Sequence, residues 1–164
     1  MELTHLDKSG RAKMVDVSRK RVTSRHAKAR GVIYLRESTL DAITEGKLAK
    51  GDAFAVARMA GIMAAKRCDE LIPLCHAIPL EHVSVDIEPL LDPPRVEISA
   101  EVTCSAKTGV EMEAILAVSI SAIAIYDMVK AIDRTAVIGD IRLIEKSGGR
   151  SGHFLREEEE CKPE

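Results

Sequence analysis

The chain of 164 residues predicts an α+β fold: a ferredoxin-like antiparallel sheet with helices packed on one face. Three observations carry that expectation. VSVDIE (83–88) and RVEISAEVT (95–103) each alternate apolar and polar residues, and LLDPPR supplies a turn between them, the pattern of two half-buried antiparallel strands. The segment 108–133 is long, and from Ala114 to Ile125 it is apolar or small all round, as in a helix buried on more than one side. The elements follow one another as β-α-α-β-β-α-β, with no internal repeat and no interdomain linker.

In order along the chain, residues 1–30 read as an extended basic N-terminal arm, 31–155 as a single α+β domain, and 156–164 as an acidic tail. GVIYLR (31–36) is the first strand. A short helix spans 38–46, capped by Ser38 and stopped by Gly46. One helix is expected over 51–71, with small residues Ala57, Ala60, Gly61, Ala64 and Ala65 allowing close approach of another helix. The strands 83–88 and 95–103 come next. The long helix opens on Thr108 and Glu111, which match a capping box. AVIGDIRLIE (136–145) is the last strand, and a glycine-rich stretch follows it.

Composition narrows the function. Hydrophobic residues make up 46% and charged residues 30%. No apolar stretch reaches membrane-spanning length without a charge, and MELTHLDKSG lacks the apolar core of a signal peptide, so a cytoplasmic protein without a membrane partner is expected. The four cysteines form no CxxC and are too sparse for a disulfide scaffold, which favours reduced thiols. Net charge is only −2, yet RKRVTSRHAKAR (19–30) is half basic. Aromatics are 2% of the chain and Trp is absent, leaving little to stack on exposed bases. A solvated basic face or a small phosphorylated ligand explains that run better than nucleic acid.

Four constellations are candidates for chemistry. In LIPLCHAIPL (71–80), Cys75 and His76 are adjacent. In an extended segment they point to opposite sides, which weakens a nucleophile–base pair. A zinc site needs about four ligands, and the other histidines are scattered singles, so no metal site is expected. A packed Cys75 with His76 held locally, and His76 facing a ligand, both stay open. KSGGRSGH (146–153) lets backbone approach an anion, with Lys146 and Arg150 adding charge, although a flexible tail has the same composition. Lys50 precedes a helix N-terminus, where a phosphate is favoured; an exposed lysine beside a capping Asp52 reads equally well. Asp127 and Lys130 lie three apart on one face of the long helix, and Glu111 and Glu113 flank Met112 near its start. Residues 113 and 127 are separated by about 21 Å at 1.5 Å per residue. A small substrate touching both ends must therefore combine two subunits.

Together MVDVS (14–18), KGD (50–52), LIPLCH (71–76), KTGVEMEA (107–114), YDMVKA (126–131) and KSGGRSGH (146–153) resemble the cyclic pyranopterin monophosphate synthases, the molybdenum cofactor biosynthesis accessory protein C family. The resemblance covers nearly the whole chain in order. It implies a ferredoxin-like fold in a homohexamer built from dimers, with active sites between subunits. It implies conversion of 3′,8-cyclo-7,8-dihydro-GTP to cyclic pyranopterin monophosphate with loss of pyrophosphate. The expected partner is thus a small-molecule substrate. No tightly bound cofactor is implied, and any Mg²⁺ would arrive with the triphosphate.

Carried over residue by residue, the resemblance implies catalytic roles for Asp127, Lys130 and Lys50. It implies substrate contacts at Leu74, Cys75, His76, Met112, Glu113, Glu111, Arg25, Lys66 and Lys146. Ala77 stands where the family pattern has proline, Val129 where it has cysteine and Arg150 where it has lysine. A lysine clustered with other cations is expected to have a lowered pKa and to serve as a base. Arg25, Lys66 and Lys146 are expected to hold the triphosphate, and His76 and Glu113 the guanine-derived ring. The competing reading is a non-catalytic oligomeric nucleotide-binding or regulatory module.

Overall fold

In a computed structural model the chain runs β1 (Thr23–Tyr34), α1 (Glu37–Thr44), α2 (Ala53–Ala65), α3 (Cys68–Leu71), β2 (His82–Leu91), β3 (Pro94–Ala106), α4 (Glu111–Val129), β4 (Val137–Ser147) and β5 (Phe154–Leu155). The structure describes residues 9–150 and 152–157. The first residues of the expected arm, and the expected acidic tail from residue 158 on, including Cys161, lie outside the described residues. Five strands form one antiparallel sheet in the order β2-β3-β1-β4-β5. The first four follow the split βαβ order, with β1 central between β3 and β4. An α+β fold is what the alternation and element order predicted.

β1 differs most from expectation. It starts at Thr23, so residues 23–30, assigned to the arm, form part of the central strand. Inward-facing Ala27, Ala29, Gly31 and Ile33 alternate with His26, Lys28, Arg30 and Val32 on the other face. Ala27, Ala29 and Gly31 are small because α4 lies directly on this face; a Cβ at Gly31 would come within 2.8 Å of Val118 Cγ1. Charges on the outer face meet cross-strand partners, Lys28 with Glu101 at 2.7 Å and Arg30 with Glu97 at 3.4 Å. Part of the basic run is therefore neutralised within the sheet.

Helix boundaries needed three corrections. Ser38 does not cap α1: the N-cap is Arg36, and the Asp133 carboxylate accepts its main-chain N–H at 2.9 Å. The helix expected over 51–71 is two helices, α2 and α3, interrupted at Lys66 and Arg67. Thr108 and Glu111 form no capping box; α4 begins at Glu111, its N-cap is Val110, and no side chain caps it. Asp52 does cap α2, accepting from Ala55 N–H at 3.0 Å. α4 packs on β1, β3 and β4 and against α2. It is long and apolar enough to cross a membrane, but it lies in the position of a core helix, with Ala114, Ala117, Val118, Ala122 and Ile125 fully buried.

Candidate active site

The two ends of α4 carry two different ionic assemblies. At the C-terminal end, Lys50 reaches over from the loop before α2, where Gly51 takes φ +94°. Its Nζ donates to Asp127 Oδ2 at 2.9 Å and to the Asp127 main-chain oxygen at 2.7 Å, satisfying one carbonyl of the last helical turn. Lys130 Nζ meets Asp127 Oδ1 at 2.7 Å. Hydrogen bonds from Lys130 and then Lys50, with their charges, hold the Asp127 carboxyl down at about 2. Its hydrogen bond and the charge of Asp127 push Lys130 above its ordinary value. That reverses the expected lowering of a clustered lysine: with the carboxylate between the two cations, Lys130 holds its proton and its charge more firmly. All three side chains are about half exposed. An exposed pair of this kind stabilises a fold by less than ~1 kcal/mol, so stability gives little reason for the arrangement.

At the N-terminal end lies a cleft of about 590 Å³. Among the described residues Glu111 is the one carboxylate lining it, against Arg25, Lys146, Arg150, Lys107 and the arm cations Arg19, Lys20 and Arg21. Glu111 does not cap its helix; it accepts from Lys146 Nζ at 2.7 Å. Arg25 is 9% exposed. Its Nε donates to Ala106 O at 3.2 Å and its Nη1 to Gly148 O at 3.0 Å. Gly148 and Gly149 are required here. Both have positive φ, and a Cβ on Gly149 would overlap the Arg25 guanidinium. Thus Gly148 and Gly149 form a close-fitting seat for Arg25 beside an anion-sized opening, and the α4 N-terminus adds its positive dipole.

LIPLCH lies near Glu113 and the segment before β1. Cys75 N–H closes a turn onto Ile72 O at 3.0 Å. The thiol faces Cys68, Sγ to Sγ 4.0 Å, while His76 Nε2 bonds Val15 O at 2.8 Å. The two side chains have separate partners, as expected. Burial pushes the Cys68 and Cys75 thiols up, and the nearby Glu113 charge adds to the shift, so both are poor nucleophiles at neutral pH. Glu113 is 3% exposed and its Oε2 has no hydrogen-bond partner among the described residues. Burial raises its carboxyl pKa, with the Glu111 charge contributing. Oε2 is thereby left able to bond an incoming polar group. Among the described residues no three His, Cys, Asp or Glu side chains converge to hold a metal ion.

The structure therefore brings Asp127, Lys130 and Lys50 into one cluster, and Arg25, Glu111 and Lys146 into another. Leu74 and Met112 are partly exposed, at 37% and 38%. Lys66 belongs to neither cluster; it ends α2 and lines a shallow groove with residues 78–83. Sequence reasoning overlooked Lys107, the cleft-lining arm residues Arg19, Lys20 and Arg21, and the contact of Cys68 with Cys75. The first lies in KTGVEMEA and the arm residues in the basic run, but nothing in their spacing showed that strand pairing would bring them together.

Known proteins bear on this arrangement. Residues 14–149 match the model of the MoaC family. The chain is 57% identical over 161 residues to cyclic pyranopterin monophosphate synthase 3 of Mycobacterium bovis, covering 98% of this chain and 90% of that protein. It is 58% identical over 155 residues to the cyclic pyranopterin monophosphate synthase of Chloroflexus aurantiacus, 94% and 95% of the two chains. It is 54% identical over 158 residues to that of Desulfitobacterium hafniense, 96% of each. With the match spanning both ionic assemblies and the sheet that joins them, the chain belongs to the MoaC family.

Proposed function

We propose that this chain is a cyclic pyranopterin monophosphate synthase of molybdenum cofactor biosynthesis. It converts 3′,8-cyclo-7,8-dihydro-GTP to cyclic pyranopterin monophosphate and pyrophosphate, in sites shared between subunits. The observation that carries the reading is the pairing of an acid–base cluster with a cationic cleft at opposite ends of one helix. Asp127, Lys130 and Lys50 suit the proton transfers that open and reclose the purine-derived ring. Closing the cyclic phosphate breaks the bond between the α-phosphorus and the bridging oxygen, and the pyrophosphate leaves with that oxygen. Arg25 and Lys146 in the cleft suit the charge that develops there. Glu113, and the His76 ring nitrogen not engaged by Val15, offer hydrogen bonds to the ring, and with so few aromatics recognition relies on such bonds. Any Mg²⁺ enters with the triphosphate.

Glu111 and Asp127, which anchor the two clusters, are about 24 Å apart along α4 at 1.5 Å per residue, too far for one substrate, so one subunit supplies Asp127 and its neighbour the cleft. Apolar Val56, Met59 and Met63 lie exposed along α2, and Ile123 on α4. Faces of this kind seek cover by another copy, which supports a hexamer built from dimers. A non-catalytic nucleotide-binding module has no use for a carboxylate held between two lysines.

The test supplies purified protein with the cyclised dihydro-GTP and follows pyrophosphate and pterin formation. Wild type should turn over, and Asp127→Ala and Lys50→Ala should each lose on the order of 10²-fold or more. Full turnover by either variant, or substrate bound and released unchanged by wild type, would overturn the assignment. Mixing inactive Asp127→Ala with inactive Glu113→Ala subunits should restore part of the activity, because some mixed sites carry neither change.

A further inference from the structure

We propose that Lys107 is a positioning residue: it docks the segment 15–21 against the domain as one wall of the cationic cleft, with His76 as the second attachment. The inference rests on reading that cleft as the triphosphate site. Asp16 Oδ1 accepts the Ser18 N–H at 2.8 Å, and Lys20 N–H closes onto Val17 O at 3.0 Å, so residues 16–20 fold into a tight turn. Two main-chain carbonyls of this segment are held by the domain. Lys107 Nζ donates to Ser18 O at 2.8 Å, and His76 Nε2, carrying its proton, donates to Val15 O at 2.8 Å. Attachment through carbonyls spares the arm's side chains, and Arg19, Lys20 and Arg21 line the cleft opposite Arg25, Lys146 and Arg150.

The geometry explains why a lysine at the mouth of an anion cleft points at a carbonyl. The docked turn adds three cations to a cleft that already has an excess, so docking works against like-charge repulsion. The charge-assisted Lys107 bond opposes that repulsion. Lys107 also lies close enough to Asp16 to help hold its carboxyl below the usual range, after the larger effect of the Ser18 hydrogen bonds. An anion in the cleft removes the repulsion. By linkage, arm docking and anion binding must therefore strengthen each other.

Limited trypsin digestion reads arm docking directly through cleavage after Arg19, Lys20 and Arg21, and inorganic pyrophosphate is the probe for the cleft. In the absence of ligand, Lys107→Met should be cut at the arm about tenfold faster than wild type, as expected for losing one charge-assisted bond. Its unfolding midpoint should stay unchanged. Its KM for the cyclised dihydro-GTP should rise several-fold with kcat little altered, and Lys107→Arg should restore both arm protection and KM. Pyrophosphate should slow arm cleavage in wild type. A Lys107→Met protein with wild-type arm cleavage overturns the proposal, whether or not KM rises; a rise alone would make Lys107 a direct phosphate contact. If pyrophosphate fails to protect wild type while Lys107→Met still frees the arm, docking stands and the assignment of the cleft falls.

Discussion

Asp133 shows how much one buried side chain can organise. It is completely buried in the turn between α4 and β4. One carboxylate oxygen accepts the Arg36 N–H at 2.9 Å, and the other accepts Thr135 N–H at 3.1 Å and Thr135 Oγ1 at 2.7 Å. Arg36 Nε lies 3.3 Å away. Burial alone would raise its pKa, but these donors outweigh it and hold the group down at about 2. A carboxyl depressed in the folded state stabilises the fold above its unfolded value of about 3.9. That contribution is lost as the pH falls towards 2. Asp133→Asn should cost about 2 kcal/mol at neutral pH, lowering Tm by roughly 4–8 °C. It should also flatten the acid limb between about pH 4 and 2, and thermal unfolding across pH checks both effects. The carboxylates of the candidate site belong to a different regime: Asp127 is exposed and ion-paired, whereas Glu113 is buried with an unpartnered oxygen.

At the scale of elements, the contact of α2 with α4 is set by small residues. Gly61 sits against Ser121, and a Cβ there would come within 2.8 Å of Ala117 O and overlap Ser121 Oγ. Ser121 Oγ already donates to Ala57 O at 3.0 Å. Gly61→Ala should therefore destabilise by about 1–3 kcal/mol through overpacking, although alanine is the better helix former. Adding Ser121→Ala should recover part of the loss, and denaturant midpoints of the single and double variants decide it. Close contact here bears on the proposed function because α2 follows directly from Lys50 and α4 carries Asp127. Pushing the helices apart would lengthen the 2.9 Å ion pair.

For the molecule as a whole, the proposed function makes assembly a condition of activity, because the two ionic assemblies lie at opposite ends of α4. Val56, Met59 and Met63 recur on one face of α2, with Met59 58% and Met63 48% exposed. If the proposed assembly covers this face, Met59→Glu with Met63→Glu should yield smaller species and abolish turnover while leaving the sheet intact. Size-exclusion chromatography, circular dichroism and pyrophosphate release together test this. A monomer of the double variant with full activity would show that one copy completes a site on its own.

The fold class was legible because β2 and β3 alternate cleanly and α4 is apolar around its whole circumference; local periodicity reports burial directly. The Asp127–Lys130 pair was legible for the same reason, since three residues on a helix is a contact. The first half of β1 was hidden because its inward residues there, Ala27 and Ala29, are small ones that admit α4 rather than favour a strand. Glu111 looked like a cap because capping chemistry and ion-pair chemistry use the same side chain, and only β4 alongside it supplied Lys146. The union of Lys50 with Asp127, of Arg25 with the 148–149 glycines, and of Lys107 with Ser18 joins residues from 77 to 124 positions apart. Spacing along a chain carries no signal over such distances. Sequence therefore settled which groups the protein possesses and which surfaces must be buried, whereas the pairing of β1 with β3 and β4 decided which of those groups meet.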